Sequence, residues 1–369
     1  MASLHPSPFG SRDHLSELKH GDVPYSRPST PHGGHPLQIG WLGLGAMGYY
    51  MARNLAKNLH SHSPSGSLPL LVYNRTVSKS EKLQQELGDE KVLIADTPGQ
   101  LAVECDVIIT NLANDEVVRD MYLQFSEALT KSKPSKAKIF VETSTIYPSL
   151  AGELDSIVSR VPLAHLVTSP VFGAPAAADK SQLIIVMSGD YRSKKEVAWL
   201  LCPAVGRKVV DLGGNLEKAP TFKLIGNSMI LGCLEVMAES LTLAEKSGIG
   251  AEVATQFIKD LLPAPPLVAY SEKMLHDQFD GTKGFAIDGG IKDATHIRKL
   301  TTQHDCPMPV IDAAHGHLLT ARALHHNQKL KGTAHFGTLD WSAVIAGTRV
   351  AAGLDGFDSH KHQRVVRED

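Results

Sequence analysis

The 369-residue chain contains no C-x-x-C pair, no H-E-x-x-H run and no uninterrupted apolar stretch of the ~18 residues that a membrane span needs. Cysteine is scarce. Cys105, Cys202, Cys233 and Cys306 lie far apart, as expected of free, mostly buried thiols in a reducing compartment rather than of a disulfide framework. Charge of either sign is not in excess: 37 Lys and Arg against 39 Asp and Glu leave a net charge of −2, with nothing to steer the chain to nucleic acid or an anionic membrane. Histidine is plentiful, but His315 and His317 diverge on a helix, as do His325 and His326. Surface histidines and no metal site are therefore expected.

The length suffices for two domains. Residues 1–36 are rich in Pro, Ser, His and Gly without apolar periodicity, and read as a disordered leader. They lack the apolar core of a secretory signal and the acid-poor character of a mitochondrial one, so the cytosol is expected. From residue 37 short apolar runs alternate with helical patterns: Leu70–Tyr73, Val92–Ala95, Asp106–Leu112, Ile139–Val141, Leu166–Thr168, Leu183–Met187 and Val209–Val210. That alternation implies a mainly parallel sheet with helices on both faces over 37–215. After Gly213-Gly214 the pattern turns helical. Leu216 to Lys246 has Phe222, Ile225, Met229, Cys233, Met237, Leu241 and Ala244 at spacings of three and four, and is expected as the buried spine of an all-helical domain over 216–353. Residues 354–369 read as a polar tail.

The chemistry starts at the first of these runs. Leu37–Leu42 leads into Gly43, Gly45 and Gly48 at G-x-G-x-x-G spacing, and Met47, Met51 and Leu55 follow at a helical period. Strand, glycine turn and helix in that order suit a dinucleotide pyrophosphate, held by Gly43, Leu44, Gly45, Ala46, Met47 and Gly48. The second run ends in Asn74-Arg75-Thr76, with no acid before Glu81. An acid there would accept from the ribose 2′-hydroxyl, whereas Arg75 can pair with a 2′-phosphate and Asn74 and Thr76 can donate to it. NADP(H) is favoured over NAD(H).

Several blocks, in order, resemble the β-hydroxyacid dehydrogenase family, which includes 3-hydroxyisobutyrate dehydrogenases and glyoxylate/succinic semialdehyde reductases, with 6-phosphogluconate dehydrogenase more distant. They are Gly43-Leu44-Gly45-Ala46-Met47-Gly48 with Met51-Ala52-Arg53-Asn54-Leu55, Glu142-Thr143-Ser144-Thr145, Ser169-Pro170-Val171-Phe172-Gly173, Lys223 with Asn227, Lys292-Asp293, and Asp340-Trp341-Ser342-Ala343. The resemblance implies a Rossmann-like domain, doubly wound on a mainly parallel sheet, followed by an all-α domain with a long interdomain helix, as a homodimer or homotetramer. It implies Lys223 as the catalytic lysine with Asn227 beside it. Leu112, Thr145 and Lys292 would contact the cofactor, and Ser144, Gly173 and Asp293 the substrate, with Phe285 as a wall.

Phe172 and Ala174 depart from the family's substrate loop, as does Ser181 beyond it. A phenyl ring cannot donate the hydrogen bond that a serine gives a carboxylate. The readings are thus a reductase of a small carbonyl acid such as a semialdehyde or glyoxylate, a relative acting on a bulkier or less acidic carbonyl, or a non-catalytic NADP-binding scaffold, which the presence of Lys223 disfavours.

Overall fold

Leu42 hands the chain from a buried strand to a glycine turn, and the first domain is wound around that point. The computed structural model describes residues 23–26, 37–62 and 68–362. In order, the elements of the first domain are β1 (Ile39–Leu42), α1 (Gly48–His62), β2 (Leu70–Tyr73), α2 (Val77–Leu87), β3 (Val92–Ile94), α3 (Pro98–Glu104), β4 (Val107–Thr110), α4 (Asp115–Lys131), β5 (Lys138–Glu142), α5 (Pro148–Val158), β6 (Ala164–Thr168), β7 (Val171–Phe172), α6 (Pro175–Asp179), β8 (Leu183–Gly189), α7 (Tyr191–Leu201) and β9 (Gly206–Asp211). Strands β3-β2-β1-β4-β5-β6 run parallel, while β8 joins β6 and β7 antiparallel and pairs with β9 in parallel. All four residues of β1 are buried, as expected for a strand covered by helices on both faces. β1 sits between β2 and β4, with Trp41 opposite Val72 and Ile109. The strand order reverses there, and a crevice opens beyond the carboxyl ends of β1 and β4.

The second domain comprises α8 (Lys218–Lys246), α9 (Ala251–Leu261), α10 (Pro265–Leu275), α11 (Ile287–Gln303), α12 (Pro309–Leu330) and α13 (Ile345–Ala351). Its core gathers Leu224, Leu231, Leu234, Ala238 and Leu241 of α8 with Ile291, Ile297, Leu318, Trp341 and Ile345. Among the described helices, α8 alone is long and apolar enough to cross a membrane, and more than half of its most apolar window is buried in this domain.

Several expectations are corrected. On α8 the expected stripe drifts: Met237, Leu241 and Ala244 are buried, but Phe222, Ile225, Met229 and Cys233 are exposed. The buried face begins with Ala219, Lys223 and Asn227 instead. A helix apolar on most sides does not disclose which side meets the core. Helix α10 had no sequence signal, because Pro265 and Pro266 look like breakers. They occupy its first turn, where the missing amide costs nothing. Within the expected leader, Val23 and Tyr25 are buried in the core of the first domain, and Trp199 Nε1 donates to the carbonyls of Tyr25 (3.2 Å) and Ser26 (3.1 Å). The rest of 1–36 lies outside the described residues, as do 363–369. In the expected polar tail, Asp277 accepts from both the amide and the hydroxyl of Ser359 (2.8 Å each). Two cysteines are buried and two, Cys233 and Cys306, are exposed. His325 is buried with Nε2 at 2.8 Å from the Phe336 carbonyl, and His317 lies 2.6 Å from buried Glu235, so neither is a free surface histidine.

Candidate active site

The glycine turn is dictated by space. Gly43 has φ +103°, and a Cβ there would lie 2.2 Å from the Asn111 carbonyl oxygen. A Cβ on Gly48 would lie 2.1 Å from the Gly43 carbonyl, so α1 can start this close to β1 only at a glycine. Gly45 and Ala46 are exposed, and open space lies where a Gly45 side chain would be. The first turn of α1 carries no acid. An approachable backbone at an uncompensated helix start fits a pyrophosphate. Asn74 braces this turn rather than reaching outward: its Oδ1 accepts from the Leu44 amide (2.8 Å) and its Nδ2 donates to the Thr76 carbonyl (2.9 Å). Arg75 and Thr76 remain exposed at the end of β2.

Across the crevice, the ends of β4 and β5 are locked together. The Leu112 amide donates to Ser144 Oγ (2.7 Å), and the Ser144 amide donates to Glu142 Oε1 (2.7 Å). Thr110 Oγ1 donates to Glu142 Oε2 (2.7 Å). Burial pushes the Glu142 carboxyl up to about 7, opposed by the hydrogen bonds from Ser144 and Thr110. The sequence reading placed Glu142 in the Glu142-Thr143-Ser144-Thr145 block but gave it no role of its own.

The helical domain supplies the other wall. Lys223 and Asn227 stand one turn apart on the buried face of α8. Lys223 Nζ donates to Asn227 Oδ1 (2.9 Å), and Asn227 Nδ2 donates to Asp293 Oδ2 (2.7 Å) on α11. Lys292 Nζ pairs with Asp293 Oδ1 (3.1 Å) and also donates to the Thr145 carbonyl beyond β5. One polar chain thus runs from Lys223 to the sheet of the first domain. With only 9% of its surface exposed, Lys223 has its pKa lowered to about 8 by desolvation; Asp293 opposes the shift and Lys292 adds to it.

The structure therefore brings together Lys223, Asn227, Asp293, Lys292 and Thr145, with Leu112 and Ser144 on the neighbouring strand end. Phe172 joins them: Lys223 Nζ is 4.5 Å from its ring centroid. Gly173 follows at φ +139°, where a Cβ would be 2.4 Å from Leu183 Cδ2. Phe285 has a different place. Its half-buried ring packs against the helical core, edge-on to Trp341 (4.8 Å between centroids), and its amide donates to Asp340 Oδ2 (2.8 Å). Two further residues emerge from the geometry. Asn54 Nδ2 on α1 donates to the Ala178 carbonyl (2.8 Å) and lies 3.1 Å from Ser181 Oγ, and Arg53 pairs with Asp179. The cofactor helix is thereby stapled to the segment that follows the Phe172 loop. Among the described residues no group of three or more His, Cys, Asp or Glu is placed to hold a metal ion.

A doubly wound dinucleotide domain, facing a helical domain that presents a buried lysine to the crevice, defines a nicotinamide-dependent oxidoreductase. Residues 38–214 match the NAD-binding domain of 6-phosphogluconate dehydrogenase, and residues 218–335 match the NAD-binding domain of NADP-dependent 3-hydroxyisobutyrate dehydrogenase. An uncharacterised oxidoreductase of Bacillus subtilis, YfjR, is 28% identical over 309 residues, covering 84% of this chain and 99% of its own. The NADH-dependent oxidoreductase ucdB of Aspergillus ustus is 28% identical over 276 residues, 74% of this chain and 88% of its own. The 3-hydroxyisobutyrate dehydrogenase of Mycobacterium tuberculosis, solved with L-serine, shares the fold at a TM-score of 0.65 and 22% identity, covering 85% of this chain and all of that one. The chain belongs to the β-hydroxyacid dehydrogenase family, NAD(P)-dependent oxidoreductases acting on a CH–OH group.

Proposed function

We propose that the chain is an NADP(H)-dependent reductase of a small carbonyl compound, with Lys223 delivering the proton. The observation that carries this reading is Lys223 itself: buried on α8, oriented by Asn227, and held at a pKa of about 8. At pH 7 such an amine is protonated about ten to one. It can hydrogen-bond a carbonyl oxygen, stabilise the charge that develops there, and then give up the proton. Nicotinamide, when bound, supplies the hydride. Asn227 fixes the ammonium, and Asp293 keeps the Asn227 amide in the orientation that accepts from it.

Exposed Arg75 with no neighbouring acid supports the phosphorylated cofactor, as does the match of the helical domain to an NADP-dependent family model. The exposed apolar residues Val236 and Leu243 of α8 and Val253, Phe257 and Leu261 of α9 support a homodimer or homotetramer. The substituent beyond the carbonyl can be a carboxylate or an apolar group, and the chemistry at Lys223 is the same for both. The test is NADPH consumption over glyoxylate, succinic semialdehyde, tartronate semialdehyde and larger aldehydes, for wild type and Lys223→Met. Turnover by the wild type alone, with NADPH bound equally by both, supports the reading. Undiminished turnover by the variant removes Lys223 from the chemistry, and no turnover by either favours a scaffold.

A further inference from the structure

We propose that Phe172 sets the specificity of this site, selecting carbonyl compounds that carry an uncharged alkyl or aryl group over the corresponding carboxylates. The proposal rests on the reading of Lys223 as proton donor to a carbonyl.

The ring has a seat built for it. Phe172 ends β7 opposite Ile184, and the strained turn at Gly173 fixes the direction of the loop beyond. On the facing helix, a Cβ at Gly226 would lie 2.3 Å from the ring's Cε1 and 2.4 Å from Cζ, so the ring packs on bare backbone. Phe222 meets it edge-on, with centroids 5.8 Å apart at 87°. Between these two contacts lies Lys223, its ammonium 4.5 Å from the ring centroid. Three positions of α8, 222, 223 and 226, are thus matched to one side chain of the substrate loop.

That arrangement favours one substrate chemistry. The face of an aromatic ring is the negative side of its quadrupole: it attracts the ammonium and repels a carboxylate brought against it. A carboxylate would also need a cation of its own. Lys223 is committed to the carbonyl oxygen, and Lys292 is already paired with Asp293 and the Thr145 carbonyl. Asp293, 1% exposed, and Lys292 neutralise one another as an ion pair, which leaves Lys223 as the cation of this cluster. A carboxylate losing water against the Phe172 ring gains no hydrogen bond from it, whereas an alkyl or aryl group gains contact with Phe172 and exposed Phe222.

The test uses the full-length chain with NADPH and two aldehydes of matched shape, succinic semialdehyde and 4-methylpentanal, in which an isopropyl group replaces the carboxylate. Wild type should favour 4-methylpentanal in kcat/KM by about tenfold or more, the discrimination one such group provides. Phe172→Ser should lower that ratio at least tenfold, while Phe172→Leu, which keeps an apolar wall, should hold it within about threefold of wild type. A wild-type preference for succinic semialdehyde, with turnover that depends on Lys223, overturns this proposal and leaves the proton-donor reading intact. An unchanged ratio in a folded, NADPH-binding Phe172→Ser variant overturns it too. If that variant fails to fold, the wild-type and Phe172→Leu ratios decide the matter by the same criteria. Turnover of neither aldehyde with NADPH bound overturns this proposal, and the wider carbonyl panel then decides the proton-donor reading.

Discussion

Replacing Lys223 by methionine should change not only turnover but the way stability depends on pH. In the folded chain the amine titrates near 8, against 10.5 for a solvated lysine, chiefly because burial strips it of water. At ~1.36 kcal/mol per pH unit of separation, carrying that charge costs the folded state about 3 kcal/mol at pH 7. The sign follows from proton counts. Below pH 8 both states hold the proton and the cost is constant. Between about 8 and 10.5 the unfolded chain holds it and the folded chain does not, so stability rises with pH, and above 10.5 the cost is gone. From pH 7 to pH 9 this linkage gives the wild type on the order of 1 kcal/mol that Lys223→Met lacks. At pH 7 the variant escapes the cost but strands Asn227 Oδ1 and loses the contact with Phe172, losses of about 1–3 and 0.5–2 kcal/mol that offset most of the relief. The pH slope is untouched by those losses and is the discriminating quantity. Urea denaturation of both proteins at pH 7 and pH 9, followed by tryptophan fluorescence, measures it. If the two stabilities change in parallel, Lys223 does not titrate in this range and the desolvation argument fails.

Two further outcomes are expected. With NADPH saturating, kcat/KM for carbonyl reduction should fall about tenfold per pH unit above pH ~8, as Lys223 loses its proton, while alcohol oxidation rises through the same pKa; a flat reductive limb to pH 10 would refute its role as acid. Arg75→Asp should raise KM for NADPH at least tenfold more than KM for NADH, since it replaces a phosphate partner by a charge that repels it; equal effects in steady-state assays would reject the cofactor assignment.

What the sequence disclosed and what it hid have distinct physical causes. The turn at Gly43–Gly48 was legible because backbone geometry excludes a side chain at both its ends, Gly43 and Gly48, and such constraints leave a mark residue by residue. The parallel sheet was legible because strands buried on both faces read as short apolar runs. The Lys223–Asn227 pair was legible as two polar residues one turn apart, but its face on α8 was not, since Phe222, Ile225 and Met229 offered an equally apolar stripe that proves exposed. The roles of Asn54, Glu142 and Gly226 went unread for another reason. Each acts through a partner distant in sequence, Ala178, Thr110 and Phe172 respectively, and no local periodicity reports such contacts. Val23 and Tyr25 form too short a segment to show any period at all.

The staple from Asn54 and Arg53 to the Ala178–Ser181 segment divides labour between the domains. The proposed cofactor grip and substrate filter are built on one body, and the proposed proton source on the other. Any hinge motion that widens the crevice carries Phe172 away with the cofactor helix and leaves Lys223 behind. That division also means that the filter can be rewritten by exchanges in one loop, while the acid and its Asn227–Asp293 support stay as they are.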